Sequence, residues 1–502
     1  MSMTAVFSHS WRDGRLRRWT CLLVTLAIVA VTGVTSLLNE KSRASIDLSM
    51  NGSRVLYGLT IASSHYRFGS PLSSFYEPVF DIFYTKETMT WDAVNGLIRK
   101  AIAIEPGTLS PDKLHIGFGE LDEDDKGIVG WYTAAFELFG PHLGSLYLFY
   151  FLLLAGSVTV FWLAFKEDEA ALMLLTLYAL VHMALSAFTL AGNTNVIGSL
   201  LGTRPFAMLA TLPALHLALL MVRNRALSRW LVVGMGAQIA YLMFVISVRS
   251  SANIQILFLF LVAAFCLLHW IRREKQTRFT KAILRQAFVW VSICLIAGIL
   301  AAKMLYMAAI PADLRAKATT GHVVWYPALA GFVLNQTLQD ELLEFSKVYK
   351  PKNVDTGIYD AHGNLRPSPS HDALARMSVI GFAKNVLNED ITDSIVGGPD
   401  RRNPNLYEQY ARKLFFYELK RHPTEMVSLY ALRKTKNLLL IMQQVMRQLR
   451  SADIYLLAFA IGFAGSAAWL RSLKLTAPLV GAGFAVSSIP AYWFVPGTSI
   501  MF

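Results

Sequence analysis

The chain has 502 residues, of which 54% are hydrophobic and only 16% are charged. Soluble domains carry about a quarter charged residues, so this composition excludes an ordinary soluble enzyme. A net charge of +13 would suggest a nucleic-acid partner if the basic residues shared one surface. In the short segments outside the predicted membrane spans, the basic residues lie instead mainly on the predicted cytoplasmic side, so we expect no nucleic-acid partner.

Apolar runs of about twenty residues recur along the chain, and this is the length that an α-helix needs to cross a bilayer. They predict an all-α polytopic membrane protein with about nine transmembrane helices. The predicted spans are Thr20–Leu38, Leu143–Phe165, Ala170–Phe188, Pro205–Val222, Trp230–Ser247, Ile254–Ile271, Ala287–Ala309, Asp453–Leu470 and Thr476–Val495. No small-x-small cleavage site follows the first run, so we predict a retained span and not a signal peptide. All three cysteines fall inside these runs, which excludes a disulfide framework in the loops.

The basic residues predict the orientation, because cytoplasmic segments of membrane proteins are enriched in Lys and Arg. With the N-terminus in the cytoplasm, the short outer segments hold only Arg204 and Arg249. The inner segments then hold sixteen basic residues: Arg12, Arg15, Arg17, Arg18, Lys166, Arg223, Arg225, Arg229, Arg272, Arg273, Lys275, Arg278, Lys281, Arg285, Arg471 and Lys474. This bias predicts a cytoplasmic N-terminus and an integral protein of a plasma membrane.

The predicted topology leaves two large outer loops. The predicted divisions are 1–19 (cytoplasmic N-terminus), 20–38 (span one), 39–142 (first extracytoplasmic loop), 143–309 (spans two to seven), 310–452 (second extracytoplasmic loop), 453–495 (spans eight and nine) and 496–502 (C-terminal tail). Both loops have apolar residues at helical spacing, so we expect them to be mainly helical. The predicted amphipathic stretches are Trp91–Ile98, Ile128–Phe139, Phe415–Leu419 and Met426–Leu449. The last is basic and suits the lipid interface or a neighbouring loop.

An acidic cluster lies in the first loop, about 18 residues before span two. Its acids are Glu120, Asp122, Glu123, Asp124 and Asp125, followed by Lys126. Crowded carboxylates raise one another's pKa, which suits general acid/base catalysis or a divalent cation. A solvated acidic turn is the alternative. An EF-hand loop is excluded because its ligand spacing is not met, and we predict no other metal site and no cofactor.

Two further polar segments face the predicted outer side. Arg204 lies in the segment between spans three and four, where a guanidinium can bind a lipid phosphate or simply anchor the chain at the interface. The second large loop opens with His322, Trp325 and Tyr326. These three side chains could stack on a sugar ring and hydrogen-bond its hydroxyl groups.

Ionisable residues are nearly absent from the predicted spans. Lys303 lies near the outer end of span seven, where it can extend to the interface. His182 lies inside span three, and we expect it to be buried and hydrogen-bonded. A proton-coupled transporter needs several intramembrane carboxylates or histidines, so this pattern argues against transport.

The helix Gly127–Gly140, with Trp131 and a Leu-Phe-Gly ending, connects the acidic cluster to span two. An acidic pair, an aromatic helix and then a span resemble the first outer loop of the GT-C class of membrane glycosyltransferases. The resemblance implies a GT-C-like fold, a polyprenyl-phosphate-linked sugar as donor and a glycan or lipid acceptor at the outer face of a bacterial inner membrane. It also implies a loop carboxylate as catalytic base, which here would be Asp124 or Asp125, with Glu123 and Asp122 behind them. Many members place this acid close to span one, where the chain has Glu40.

Two other classes of protein fit parts of the pattern. A polymerase or ligase of lipid-linked glycans would use Arg and His residues of a late outer loop, for which His322, Arg401 and Arg402 are candidates. The large first loop argues against this class. A non-catalytic envelope-assembly protein is the third alternative.

Overall fold

The computed structural model of the protein describes most of the predicted membrane region and parts of both predicted loops. The described residues are 15–41, 46–47, 75–76, 88–102, 114–115, 127–190, 206–223, 228–273, 283, 286–309, 325–347, 371–392, 404–433 and 436. Predicted spans eight and nine lie outside them.

Helices make up nearly all of the described chain. The α-helices are α1 Arg15–Lys41, α2 Trp91–Ile102, α3 Gly127–Phe139, α4 Leu143–Phe165, α5 Glu169–Leu190, α6 Phe206–Leu209, α7 Thr211–Arg223, α8 Arg229–Val248, α9 Ile254–Arg273, α10 Ala287–Ala309, α11 Trp325–Ala330, α12 Gln336–Ser346, α13 His371–Val386, α14 Pro404–Arg421 and α15 Pro423–Val427. The 3₁₀ helices are Ser250–Asn253 and Gly331–Leu334, and a π-helical turn covers Ser428–Arg433.

Four two-residue strands occur in the predicted first loop. They are β1 Ile46–Asp47, β2 Phe75–Tyr76, β3 Thr88–Met89 and β4 Leu114–His115. β1 pairs antiparallel with β3, and β2 pairs antiparallel with β4. Among the described residues of the loop, these pairings bring distant segments together as two separate two-stranded sheets.

Within the described part of the chain, five helices are long and apolar enough to cross a membrane. They are Arg18–Leu38, Leu143–Phe165, Arg229–Val248, Gln255–Arg272 and Ala287–Leu305. Large apolar side chains on these helices are exposed, for example Leu23 at 63% and Leu261 at 62%, as expected for surfaces that face lipid. The chain is therefore an all-α membrane protein.

Predicted span three lies within the 22-residue helix α5, Glu169–Leu190, and predicted span four corresponds to α6 and the shorter apolar helix Thr211–Arg223. The fourth predicted span, Pro205–Val222, is interrupted at Ala210. Helix α6 ends just before this residue, at Leu209, and α7 begins just after it, at Thr211. Pro213 lies in the first turn of α7, and proline has no N–H to donate to the preceding turn. The helix therefore restarts with Pro213 near its beginning, where an N–H is not needed.

The predicted first span is an integral part of the membrane core. The Trp162 indole N–H of α4 donates to the Arg18 carbonyl oxygen at 3.0 Å. The Cys21 thiol lies 3.2 Å from the Thr176 hydroxyl of α5. These contacts pack α1 against both α4 and α5. Cys21, Cys266 and Cys294 are all free thiols in the described helices.

A second hydrophobic core lies within the predicted second loop. Leu329, Phe332, Leu342, Ile380 and Leu414 are all buried there, and they come from α11 to α14 and the 3₁₀ helix between α11 and α12. We call this group of helices, α11 to α15 with the π-helical turn, the loop-two bundle. The predicted helical stretches Trp91–Ile98, Ile128–Phe139 and Phe415–Leu419 all form helices.

Helices α12 and α13 cross at very short distance inside the loop-two bundle. The Ser378 hydroxyl of α13 donates to the Leu342 carbonyl oxygen of α12 at 2.6 Å. Gly381 lies one turn further along α13, where a Cβ atom would overlap the carbonyl group of Phe345. Two small residues therefore permit this crossing, and α12 carries a residue of the site described below.

Candidate functional site

Most of the site residues predicted from the sequence lie outside the described residues. These are Asp122, Glu123, Asp124, Asp125, Lys126, Arg204 and His322. Tyr326 falls within α11, but its side chain is also outside the description. Their predicted roles stay predictions, and the structure informs them through the segments that flank them.

The segment that follows the acidic cluster packs on the end of α8. Gly127, the first residue of α3, lies so close to α8 that a Cβ atom there would be 2.7 Å from the Val248 amide nitrogen. Arg249 follows directly as the C-terminal cap of α8. The first described residue after the acidic cluster therefore lies against the end of α8.

The segment that follows Arg204 meets the same helix α3. The Trp131 indole of α3 contacts the Phe206 ring of α6 edge-on, with ring centroids 4.4 Å apart, and both side chains are fully buried. We call this meeting point of α3, α6 and the end of α8 the α3–α6–α8 corner. At most about 7 Å of extended chain connects Asp125 to Gly127, and the same holds for Arg204 and Phe206.

A buried aromatic column continues from this corner into the membrane region. Tyr150 of α4 contacts Phe206 with centroids 5.4 Å apart. Its hydroxyl lies 3.3 Å from His182 Nε2, and His182 is only 3% exposed. His182 is therefore buried and hydrogen-bonded as predicted, although its Nδ1 has no partner among the described residues.

Trp325 is the one predicted sugar-contacting residue whose side chain the structure describes. Its ring packs against Phe415 and Phe416 of α14, with centroids 5.1 Å and 5.2 Å away. The Arg412 guanidinium lies 5.9 Å from the same ring, and the Trp325 backbone N–H donates to Glu408 Oε1. Trp325 thus anchors α11 on α14, and its contact with a sugar stays a prediction.

The loop-two bundle contains a cluster of two carboxylates and an imidazole. Glu341 lies on α12, Glu418 lies in the last turn of α14, and His422 is the N-cap residue of the short helix α15. His422 Nε2 is 3.2 Å from Glu341 Oε1 and 3.7 Å from Glu418 Oε2. One ligand atom from each of the three residues falls within 4.8 Å of the other two.

Burial differs sharply within this cluster. The Glu418 side chain is fully buried, whereas Glu341 and His422 are 23% and 20% exposed. Burial raises the pKa of Glu418 to about 7, and the negative charge of Glu341 raises the same pKa, while His422 and Arg421 oppose the rise. Glu418 therefore lies in an environment that penalises its negative charge unless a proton or a cation accompanies it.

Arg421 orients the exposed side of the cluster. Its NH1 group donates to Glu341 Oε2 at 3.2 Å and lies 3.4 Å from the Tyr417 hydroxyl, while its guanidinium is 5.3 Å from the Tyr417 ring. Glu341 is consequently held by Arg421 through one oxygen and faces His422 through the other. This arrangement fixes the direction of the Glu341 carboxylate.

The sequence analysis missed this cluster, although one signal for it was present. Glu418 and His422 are four residues apart, the spacing that places two side chains on one helical face. Glu341 lies 77 residues before Glu418, and no local pattern connects them. Only the packing of α12 against α14 makes the set visible.

Comparisons with protein-family models, with curated proteins and with solved structures found no match for this chain.

Proposed function

We propose that the protein is a membrane glycosyltransferase that moves a sugar from a polyprenyl-phosphate donor to a glycan or lipid acceptor on the outer face of the membrane. The observation that carries the proposal is the α3–α6–α8 corner. Because Gly127 packs on the end of α8 and Trp131 on Phe206, the segments leading from Asp125 and from Arg204 end close together. These flanking contacts support the proposal that Asp125 and Arg204, which are 79 residues apart in the chain, act at the same end of the helix bundle.

The chemistry needs few groups beyond these. A carboxylate of Asp124 or Asp125 removes the proton from the acceptor hydroxyl while that oxygen attacks the anomeric carbon of the donor sugar. The bond from the anomeric carbon to the phosphate oxygen breaks, and the electron pair leaves with the polyprenyl phosphate. Arg204, assisted by Lys126, stabilises the phosphate dianion with charged hydrogen bonds.

The membrane helices supply a suitable environment for such a donor. Their exposed apolar side chains, such as Leu152 at 54% and Leu300 at 56%, offer the surface on which a polyprenyl chain rests. His322, Trp325 and Tyr326 remain the proposed contacts of the sugar. Trp325 is half-buried at the start of the loop-two bundle, on α11.

The proposal is tested with purified protein in lipid nanodiscs, supplied with a panel of polyprenyl-phosphate-linked hexoses and pentoses and an extract of envelope glycans. The expected result is protein-dependent release of free polyprenyl phosphate and a labelled sugar in the acceptor fraction. A folded protein that releases no polyprenyl phosphate from any donor would contradict the proposal and favour a non-catalytic role.

Arg204→Lys is expected to remove most of this activity. A lysine keeps the charge but cannot reproduce the planar guanidinium, which binds two phosphate oxygens at once. The measurement is the rate of polyprenyl phosphate release at saturating donor. The control is Arg229→Lys, the same substitution at the N-terminal end of α8, which is the end that does not form the α3–α6–α8 corner. This variant should behave as the wild type. If Arg204→Lys turns over at the wild-type rate, Arg204 only anchors the chain at the interface.

A further inference from the structure

The geometry of the cluster in the loop-two bundle resembles that of a metal centre. Zinc binds carboxylate oxygens at about 2.0–2.2 Å and imidazole nitrogens at about 2.0–2.1 Å, so two ligand atoms on a tetrahedron lie about 3.4 Å apart. His422 Nε2 lies 3.2 Å from Glu341 Oε1 and 3.7 Å from Glu418 Oε2. The two distances from His422 Nε2 are therefore close to the separation that a tetrahedral ion requires, and all three ligand atoms lie within 4.8 Å of one another.

Glu418 is an independent sign that the cluster holds a ligand. Its side chain is 0% exposed, and neither carboxylate oxygen has a hydrogen-bond partner within the described part of the chain. A buried carboxylate without hydrogen bonds is costly, because burial removes the water that stabilises its charge. Its Oε2 atom faces His422 Nε2, the side on which Glu341 also lies. A cation between the three groups would satisfy Glu418.

The surrounding charges favour an ion with two positive charges. Glu341 and Glu418 bring two negative charges, and Arg421 neutralises part of one by donating to Glu341 Oε2. The cluster also lies at the C-terminal end of α14, where the helix dipole carries partial negative charge. Both features attract a cation, and the exposed fractions of Glu341 and His422 give it a route from solvent.

The ligand types decide which cation fits. Magnesium and calcium prefer sites made of oxygen atoms alone, whereas an imidazole ligand favours first-row transition metals. Two carboxylates and one histidine give three protein ligands, the number found at zinc sites that keep a fourth position for water. We propose that Glu341, Glu418 and His422 bind a divalent transition-metal ion, best matched by Zn²⁺, and that this ion ties α12 to the end of α14.

The test is a titration of the full-length protein with Zn²⁺ alone. The protein is purified in detergent with a tag that contains no histidine, treated with a chelator and titrated by calorimetry, and its melting temperature is followed in parallel. We expect one Zn²⁺ per chain and a melting temperature that rises with Zn²⁺. Mg²⁺ and Ca²⁺ at the same concentrations should give neither effect.

Glu418→Gln and His422→Ala should each raise the Kd for Zn²⁺ at least tenfold and abolish the thermal shift. The matched control is Glu344→Gln, which changes an exposed acid three residues further along α12 that pairs with Lys347. It should bind Zn²⁺ as the wild type does. The melting temperature of each variant without Zn²⁺ checks its folding, and Glu418→Gln should not lower it, because a neutral amide carries no buried charge.

Two results would overturn the proposal. The first is a wild-type protein without one-to-one Zn²⁺ binding, which would mean that a proton neutralises Glu418. The second is Zn²⁺ binding that Glu418→Gln leaves unchanged, which would mean that exposed groups elsewhere bind the ion. If His422→Ala does not fold, His422→Gln replaces it under the same criteria.

Discussion

Asp124→Asn or Asp125→Asn, at whichever residue is the base, is expected to lower the rate of sugar transfer by about 10²- to 10⁴-fold. Asparagine keeps the size and hydrogen bonding of the carboxylate but cannot accept the proton of the acceptor hydroxyl. Expression and melting temperature should barely change, because one acid in a cluster of like charges contributes little to folding. The measurement is single-turnover transfer from the donor that the nanodisc panel identifies.

The remaining acids of the first loop provide the controls for this experiment. Asp122→Asn and Glu123→Gln should keep most of the activity, and Asp92→Asn, at the exposed start of α2, should keep all of it. Glu40 lies in the last turn of α1, beside the predicted end of span one. If Asp124→Asn and Asp125→Asn are fully active and Glu40→Gln is inactive, the base lies next to span one and the assignment to the acidic cluster is wrong.

Gly381→Ala is expected to destabilise the loop-two bundle by about 3 kcal/mol, at the upper end of the range for overpacked cores. The added methyl group would overlap the carbonyl group of Phe345. Because this obstacle is backbone, no side-chain rotation can relieve it, and α12 must move away from α13. The movement would also break the hydrogen bond from Ser378 to Leu342. Thermal unfolding and limited proteolysis of residues 325–433 measure the effect.

Gly96→Ala is the matched change, because Gly96 also lies in a helix but has no atom within 4 Å of the added methyl group. Alanine favours helix by about 0.8–1.0 kcal/mol over glycine, so this variant should be as stable as the wild type or slightly more stable. Equal melting temperatures for Gly381→Ala and Gly96→Ala would show that α12 and α13 are not in close contact. Since α12 carries Glu341, Gly381→Ala should also weaken Zn²⁺ binding.

The membrane helices could be predicted from the sequence because their signal is local. A run of about twenty apolar residues is sufficient to predict a span, and helices α4 and α10 begin and end where the hydropathy pattern predicts. The amphipathic helix α2 is equally local, since its buried residues Val94 and Ile98 are one turn apart. Five of the nine predicted spans meet the length and hydropathy of a membrane helix, the third lies within the 22-residue helix α5, the fourth is divided between α6 and α7, and two lie outside the described residues.

The candidate sites depend on contacts between distant parts of the chain, and a sequence pattern does not record these. Ser157 and Gln238 are 81 residues apart, yet their side chains hydrogen-bond at 2.9 Å across α4 and α8. Trp131 meets Phe206 in the same way, which connects the flank of the acidic cluster with the flank of Arg204. Hydropathy reports which face of a helix is buried but not which helix covers it.

The cluster of Glu341, Glu418 and His422 shows the division most clearly. The sequence determined that this chain is an all-α membrane protein, because that property follows from the apolar runs along the chain. The four-residue spacing of Glu418 and His422 was also present in the sequence, but the sequence analysis assigned these residues no site. Only the tertiary structure decided that Glu341 completes the set, since α12 reaches the end of α14 through a core built from four separate helices. The tertiary structure also decided that Glu418 is buried. The residues next to Glu418 in the sequence are only partly hydrophobic, so the sequence alone does not distinguish it from an acid on the surface.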